Sequence, residues 1–317
     1  MALIKEVVSV SLGSSSRDHS VVVDILGQQI RASRVGTNGD RALLKEKLIE
    51  CDNNPDVAAI GIGGCDIFLN AANRRFYFRE IKDLVTCVKH TPVVDGSGLK
   101  GAVEGDTVRF MHDELGINFQ GKNILVTSAI DRWGLAMACA DADTEGVVGY
   151  GDLLYALDVP FVVHGRTLLT TLARVIMPVV AQLPFSWIYP SESDASTEPK
   201  RTAKTDALYR AADMIVGDYK YVIKFMPDDL VDTIVVTNTT TPEDIAFLHS
   251  RGVSLVVTTT PRLEGRSFGT NVIEALLVAA KGAQSALTPE EYLACLKAEG
   301  FTPSVHFATQ NEELKRA

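Results

Sequence analysis

Gly121-Lys-Asn-Ile-Leu-Val-Thr-Ser-Ala-Ile-Asp-Arg-Trp-Gly134, a helix-like run, and then Val147-Val-Gly-Tyr-Gly-Asp152 form the stretch that decides the fold. Ile124, Leu125 and Val126 make a short apolar run suited to a strand buried on both faces. Thr127 and Ser128 end it, and Trp133, Leu135, Ala136, Cys139 and Ala140 follow at helical spacing, so the pattern predicts a strand, turn, helix, strand unit. In a doubly wound sheet the start of that first helix offers unpaired N–H groups to a pyrophosphate, and an acid after the second strand can hold a ribose hydroxyl. Asp152 stands 18 residues past Gly134, near the roughly 20 such units use. Ser128, Ile130 and Arg132 occupy places where a strict Gly-x-Gly-x-x-Gly has small residues. Two readings therefore stand. One is a dinucleotide turn with Thr127, Ser128, Asp131, Arg132, Gly134 and Asp152 as cofactor contacts, NAD favoured over NADP because the Asp152 charge repels an extra phosphate. The other is a structural βαβ unit without a ligand.

A length of 317 residues with 46% hydrophobic content suggests about two domains with real cores. The net charge of −9 gives no general attraction to nucleic acid or anionic membrane. Five widely spaced cysteines without a C-x-x-C pair indicate neither a disulfide framework nor a zinc knuckle, and six histidines show no ligand spacing. No metal site is expected. The first residues run straight into a strand-like pattern without signal-peptide features, so a cytoplasmic setting is expected.

Upstream, residues 5–12 read as a strand and Val21 to Arg34 as two more turning at Leu26-Gly27-Gln28, an opening β-meander. A helix over 41–51, a buried strand at Val57–Gly63, a glycine turn and a helix around Phe78–Lys89 follow. Thr91-Pro-Val-Val-Asp95-Gly-Ser-Gly98-Leu-Lys100-Gly101 is a short strand opening into a glycine-rich loop and a helix through Met111. Asp95 and Lys100, at the expected mouth between two domains, have the chemistry for proton transfer. An N-cap aspartate and a solvated lysine are the alternative.

Asp95-Gly-Ser-Gly, a helix, and Gly121-Lys-Asn-Ile-Leu-Val-Thr-Ser-Ala together resemble the shikimate/quinate dehydrogenase family. Ala212-Asp-Met-Ile-Val-Gly, Thr233-Ile-Val-Val-Thr-Asn-Thr-Thr-Thr-Pro-Glu-Asp and Leu248-His-Ser-Arg-Gly-Val resemble that family's later strands. The resemblance implies an NAD(P)-dependent dehydrogenase in which Asp95 is the aspartate of a catalytic Lys-Asp pair. The family's upstream lysine segment has no counterpart, and Lys89 and Lys100 are substitutes by proximity. The Gly63-Gly64 strand end gives a fainter likeness to long-chain acyl-carrier-protein reductases. Around Gly269-Thr-Asn-Val-Ile-Glu there is no cysteine for their thioester chemistry.

Residues 153–211 read as an apolar insertion. Thr167 to Pro190 is rich in large hydrophobics, but Arg174, Pro178 and Pro184 interrupt it, so no membrane span is expected. A buried helix pair, an apolar substrate wall or a homodimer contact are its readings. Beyond it, strand-like runs at Met214–Val216, Thr233–Thr237 and Ser254–Thr258 end in Gly217-Asp218, in Asn238-Thr239-Thr240-Thr241 and in Thr259-Thr260. At the carboxyl ends of parallel strands these would share one crevice, with Asn238, Thr239 and Thr240 as cofactor contacts. Thr241-Pro242 is equally a helix start. Arg262, Arg266 and Asn271 flank a glycine-rich helix start suited to a carboxylate or phosphate, or are a surface pair and a cap.

The expected architecture is thus α/β: an N-terminal mixed α/β domain over residues 1–115, then a Rossmann-like doubly wound parallel-sheet domain over 116–317 carrying the insertion. The expected function is an NAD(P)-dependent oxidoreductase acting on a small polar, anionic hydroxy or carbonyl compound in the crevice between the domains. A non-redox lyase or group-transfer enzyme, or a small-molecule-binding regulatory protein, is the alternative.

Overall fold

β1 (Lys5–Ser11), β2 (His19–Ile25) and β3 (Gln28–Gly36) open the chain. The computed structural model describes residues 5–142, 145–157, 159, 161–185, 201–238, 240–260, 262–263, 266–267 and 269–308. β2 and β3 form the expected hairpin, turning at Leu26 and Gly27, both with positive φ. They do not make a meander with β1, which pairs parallel with β3. Val7, Val8 and Val10 are all buried, and a strand apolar on both faces suits the interior of a parallel sheet covered on both sides. α1 (Arg41–Asp52), whose Asp40 cap accepts the amides of Ala42 and Leu43, leads to β4 (Val57–Gly63) on the other side of β1.

The hairpin of β5 (Phe68–Ala71) and β6 (Arg74–Tyr77) follows, then α2 (Arg79–Val85), β7 (Val93–Val94) and α3 (Ser97–Asp113). The first sheet runs β2-β3-β1-β4-β7.

The deciding stretch folds as read: β8 (Asn123–Val126), α4 (Trp133–Ala142) and β9 (Val147–Tyr150). The chain continues through α5 (Asp152–Leu157), β10 (Val163–His164), α6 (Arg166–Val180) and α7 (Ala203–Arg210). Then come β11 (Met214–Val216), α8 (Tyr219–Lys224), β12 (Thr233–Thr237), α9 (Pro242–Ser250) and β13 (Val253–Thr258). A two-residue hairpin, β14 (Arg262–Leu263) with β15 (Arg266–Ser267), precedes α10 (Thr270–Lys281), α11 (Pro289–Ala298) and β16 (Ser304–Phe307).

The second sheet runs β10-β9-β8-β11-β12-β13-β16, parallel except for its two edge strands. Its first six strands, numbered as the chain makes them, stand in the order 3-2-1-4-5-6 of the doubly wound dinucleotide-binding sheet, here with an antiparallel third strand. Alternate residues serve opposite faces. Ile124, Val126, Met214 and Val216 pack with Leu135, Ala136 and Cys139 of α4 and Leu169 of α6. Leu125, Ile215 and Val235 pack with Tyr209 of α7, Val222 of α8 and Leu248 of α9. Both faces are covered by helices, which is why the strands read as continuous apolar runs.

The chain divides into two compact units, Met1–Ala102 with Met177–Tyr189 and Arg262–Thr302, and Val103–Ile176 with Pro190–Pro261 and Pro303–Ala317. α10, which the sequence reading assigned to the second domain, clusters with the first unit because it packs on β1, β3, β4 and β7. Among the described residues no helix is long and apolar enough to cross a membrane. Trp187 and Tyr189, part of the apolar insertion, lie outside them.

Candidate functional site

Parallel strands leave their carboxyl ends open to ligands where the winding direction reverses, here between β8 and β11. Thr127 and Ser128 follow β8, and Gly217 and Asp218 follow β11. Gly217 has a φ of 149°, and a Cβ there would lie 2.1 Å from the Thr127 Oγ1, so the two strand ends touch closely. The Asp218 amide donates to Ser128 Oγ at 3.2 Å. Asn238, just past β12, donates from Nδ2 to Asp218 Oδ2 at 2.7 Å and accepts the Tyr219 amide at 3.1 Å.

Arg132 sits at the centre. It is buried, and its guanidinium meets Asp218 Oδ2 at 2.9 Å, Asp131 Oδ2 at 3.1 Å and Glu104 Oε1 at 3.5 Å. Burial alone would lower its pKa, but the three carboxylates outweigh that and hold it charged. Glu104, in α3, also accepts the Leu135 amide in the first turn of α4 at 3.1 Å, so a carboxylate of the chain itself fills the anion position of that helix start. One guanidinium among three carboxylates leaves the cluster acidic.

Asp152 completes the arrangement. Placed directly after β9, its carboxylate accepts the amides of Ala129 at 3.1 Å and Ile130 at 2.8 Å, in the turn between β8 and α4. Withdrawal from water pushes its carboxyl up to about 6, and the Ile130 and Ala129 amides limit the rise. Gly134 lies in the first turn of α4, partly buried. Thr127 is fully buried with its amide on the Val216 carbonyl at 2.8 Å. Thr240 is buried with no partner for its Oγ1 among the described residues, and Thr239 lies outside them. The structure thus gathers Ser128, Asp131, Arg132 and Asn238 into one bonded cluster around Asp218 and Glu104. Sequence reasoning noted Asp218 as a polar strand end but missed Glu104, because a pair 28 residues apart between a helix and a distant turn leaves no local pattern.

The other sequence-derived residues belong to the first unit. Asp95 is buried before α3, its Oδ2 accepting the Ile67 amide at 2.5 Å and that of Phe68 at 3.4 Å, its Oδ1 that of Ser97 at 2.9 Å. Lys100 is partly buried in α3, its amide on the Gly96 carbonyl at 2.9 Å. Arg262 and Arg266 stand on the paired strands β14 and β15. Asn271, in the first turn of α10, donates from Nδ2 to Ser9 Oγ at 2.7 Å and packs against Gly61 and Gly63.

Glu274, which the sequence reading passed over, is nearly inaccessible in α10. It accepts the Gly96 amide and the Tyr292 hydroxyl, both at 2.6 Å. Burial pushes its carboxyl up to about 7, with Asp95 adding to the rise and Tyr292 and Gly96 opposing it. Among the described residues no group of His, Cys, Asp or Glu is arranged to hold a metal ion.

Residues 98–308 match the family model described as Domain of unknown function (DUF8754). The chain belongs to that family. Residues 6–95 match a second model, Domain of unknown function (DUF8753). No curated protein matches the chain. Among solved structures it is similar to a galactofuranose-binding protein at 14% identity, covering 98% of each chain with a TM-score of 0.38. It is also similar to the NAD-dependent malic enzyme of Thermotoga maritima, at 10% identity over 94% of this chain and 85% of that one, TM-score 0.39. A third is the hetero-hexameric glutamate dehydrogenase of Thermus thermophilus, at 12% identity over 93% and 72%, TM-score 0.40. Likenesses this distant select no activity.

Proposed function

We propose that the second unit binds NAD(H) at the carboxyl ends of β8 and β9 and that the protein is an oxidoreductase for a small polar, anionic hydroxy or carbonyl compound, of the shikimate/quinate dehydrogenase kind. The supporting observation is the 3-2-1-4-5-6 strand order with Asp152 set directly after the second strand, its carboxylate turned to the β8–α4 turn. A carboxylate there fits a ribose hydroxyl, whose binding would replace the bonds to Ala129 and Ile130 and return those amides to a phosphate. Thr127, Ser128, Asp131, Arg132, Gly134, Asn238, Thr239 and Thr240 are the proposed neighbours of the cofactor, which when bound would supply the hydride chemistry. Arg262, Arg266 and Asn271 are the proposed anion-binding residues. Asp95 and Lys100 are the proposed proton-transfer pair, Asp95 accepting three amides in the resting protein.

A second reading, an enzyme or binding protein that uses the same strand ends without a dinucleotide, is favoured by one observation. The amides a pyrophosphate would use already bond Asp152 and Glu104. Titration of the purified protein with NADH and with NADPH, followed by nicotinamide fluorescence, separates the two. The expected result is tighter NADH binding that Asp152→Ser weakens selectively. Saturation by neither nucleotide refutes the first reading and leaves the second.

A further inference from the structure

Six of the eleven large hydrophobic side chains exposed among the described residues fall between Val147 and Val179: Val147, Val159, Phe161, Leu168, Val175 and Val179. Three of them, Leu168, Val175 and Val179, lie on α6 itself, a denser grouping than the isolated apolar side chains any protein exposes. α6 supplies its spine. Leu169, Ala173 and Met177, four apart, are buried and anchor the helix. Leu168, half-buried Leu172, Val175 and Val179 follow the spacing 4-3-4 on an adjoining face, with Leu168, Val175 and Val179 at 45%, 68% and 64% exposure. This is the spacing of a seam that packs helix against helix. The strand before it, β10, has two residues and is an edge of the second sheet, with Phe161 half exposed just ahead of it.

We infer that this surface is where a second copy of the chain docks, α6 against α6 about a twofold axis. Charge favours such an occupant. The chain carries a net −9, and its copies repel one another wherever acidic faces meet. Residues 159–183 contain no Asp or Glu, and their two arginines are Arg166, paired with Asp141 at 2.6 Å, and Arg174. A twofold contact puts each residue opposite a copy of the same patch, so an apolar, charge-poor stripe is self-complementary.

Sedimentation velocity at micromolar concentration tests the assignment on the full chain. The wild type is expected to sediment as a dimer. Val175→Glu, at a position open enough to accept the change in a monomer, is expected to sediment as a monomer with an unchanged far-UV circular dichroism spectrum. Val22→Glu, on an exposed position of β2, is expected to remain dimeric. A monomeric wild type overturns the inference, as does any assembly that survives Val175→Glu or that Val22→Glu dissolves equally.

Discussion

Raising the pH from 4.5 to 8 should weaken the fold through one buried carboxyl. Glu274 has an ordinary value of 4.5 and is pushed up to about 7 in the folded protein, first by burial and then by Asp95. A carboxyl raised on folding holds its proton more tightly in the native state. Its contribution is therefore full below about pH 4.5, where both states are protonated, and falls away as pH rises through about 7. A shift of that size corresponds to about 3 kcal/mol, which for a domain of this size is roughly 6–12 °C in Tm. Asp152, pushed up to about 6, acts with the same sign, so the wild-type slope alone does not identify Glu274. Glu274→Gln does. The amide keeps an oxygen for the Gly96 N–H and offers its NH2 to the Tyr292 oxygen, at a cost of about 1 kcal/mol at low pH for the unpaired Tyr292 hydroxyl proton. Urea unfolding followed by far-UV circular dichroism at pH 4.5, 6, 7 and 8 should show the wild type losing about 3 kcal/mol more than the variant across that range. Parallel pH curves would mean that Glu274 titrates as an ordinary carboxyl and that the burial argument is wrong.

Arg132→Met should destabilise the second unit by about 3–5 kcal/mol, because it leaves the buried Glu104 carboxylate and its neighbour Asp218 without the guanidinium that pairs them; a urea midpoint equal to wild type would show the cluster to be hydrated. Gly217→Ala should cost about 1–3 kcal/mol from its φ and the crowding of Thr127. The double variant with Thr127→Ala should recover part of that loss, and equal single- and double-variant stabilities would place the strain elsewhere.

The elements most legible in the sequence were those whose signals are local. β8, α4 and β9 followed from one apolar run, one helical spacing and one polar break, and the Thr241-Pro242 helix start is a capping box. The β5–β6 hairpin was missed because its two-residue turn is Ala72-Asn73, both at positive φ, where an alanine gives no turn signal. The parallel pairing of β1 with β3 was misread as a meander because adjacency in sequence favours hairpins, while the partner of a strand buried on both faces is chosen by the whole sheet. In the site, Asp152, Arg132 and Asn238 were found from their places after strands. What Asp152 and Arg132 bond to depends on Glu104, Asp218 and the turn amides, contacts that join segments 20 to 90 residues apart.

α10 has a consequence for how the chain folds during synthesis. Nine consecutive residues of α10, Val272 to Ala280, are buried, and the helix packs on the five-stranded sheet whose strands were made in the first 94 residues. A growing chain therefore holds β1 to β7 without the helix that covers them until more than 170 further residues have emerged. Closing so long a loop is slow, and the uncovered sheet is a sticky intermediate in the meantime. The second sheet lacks only its edge strand β16 once β13 is complete, which gives it the earlier opportunity to fold.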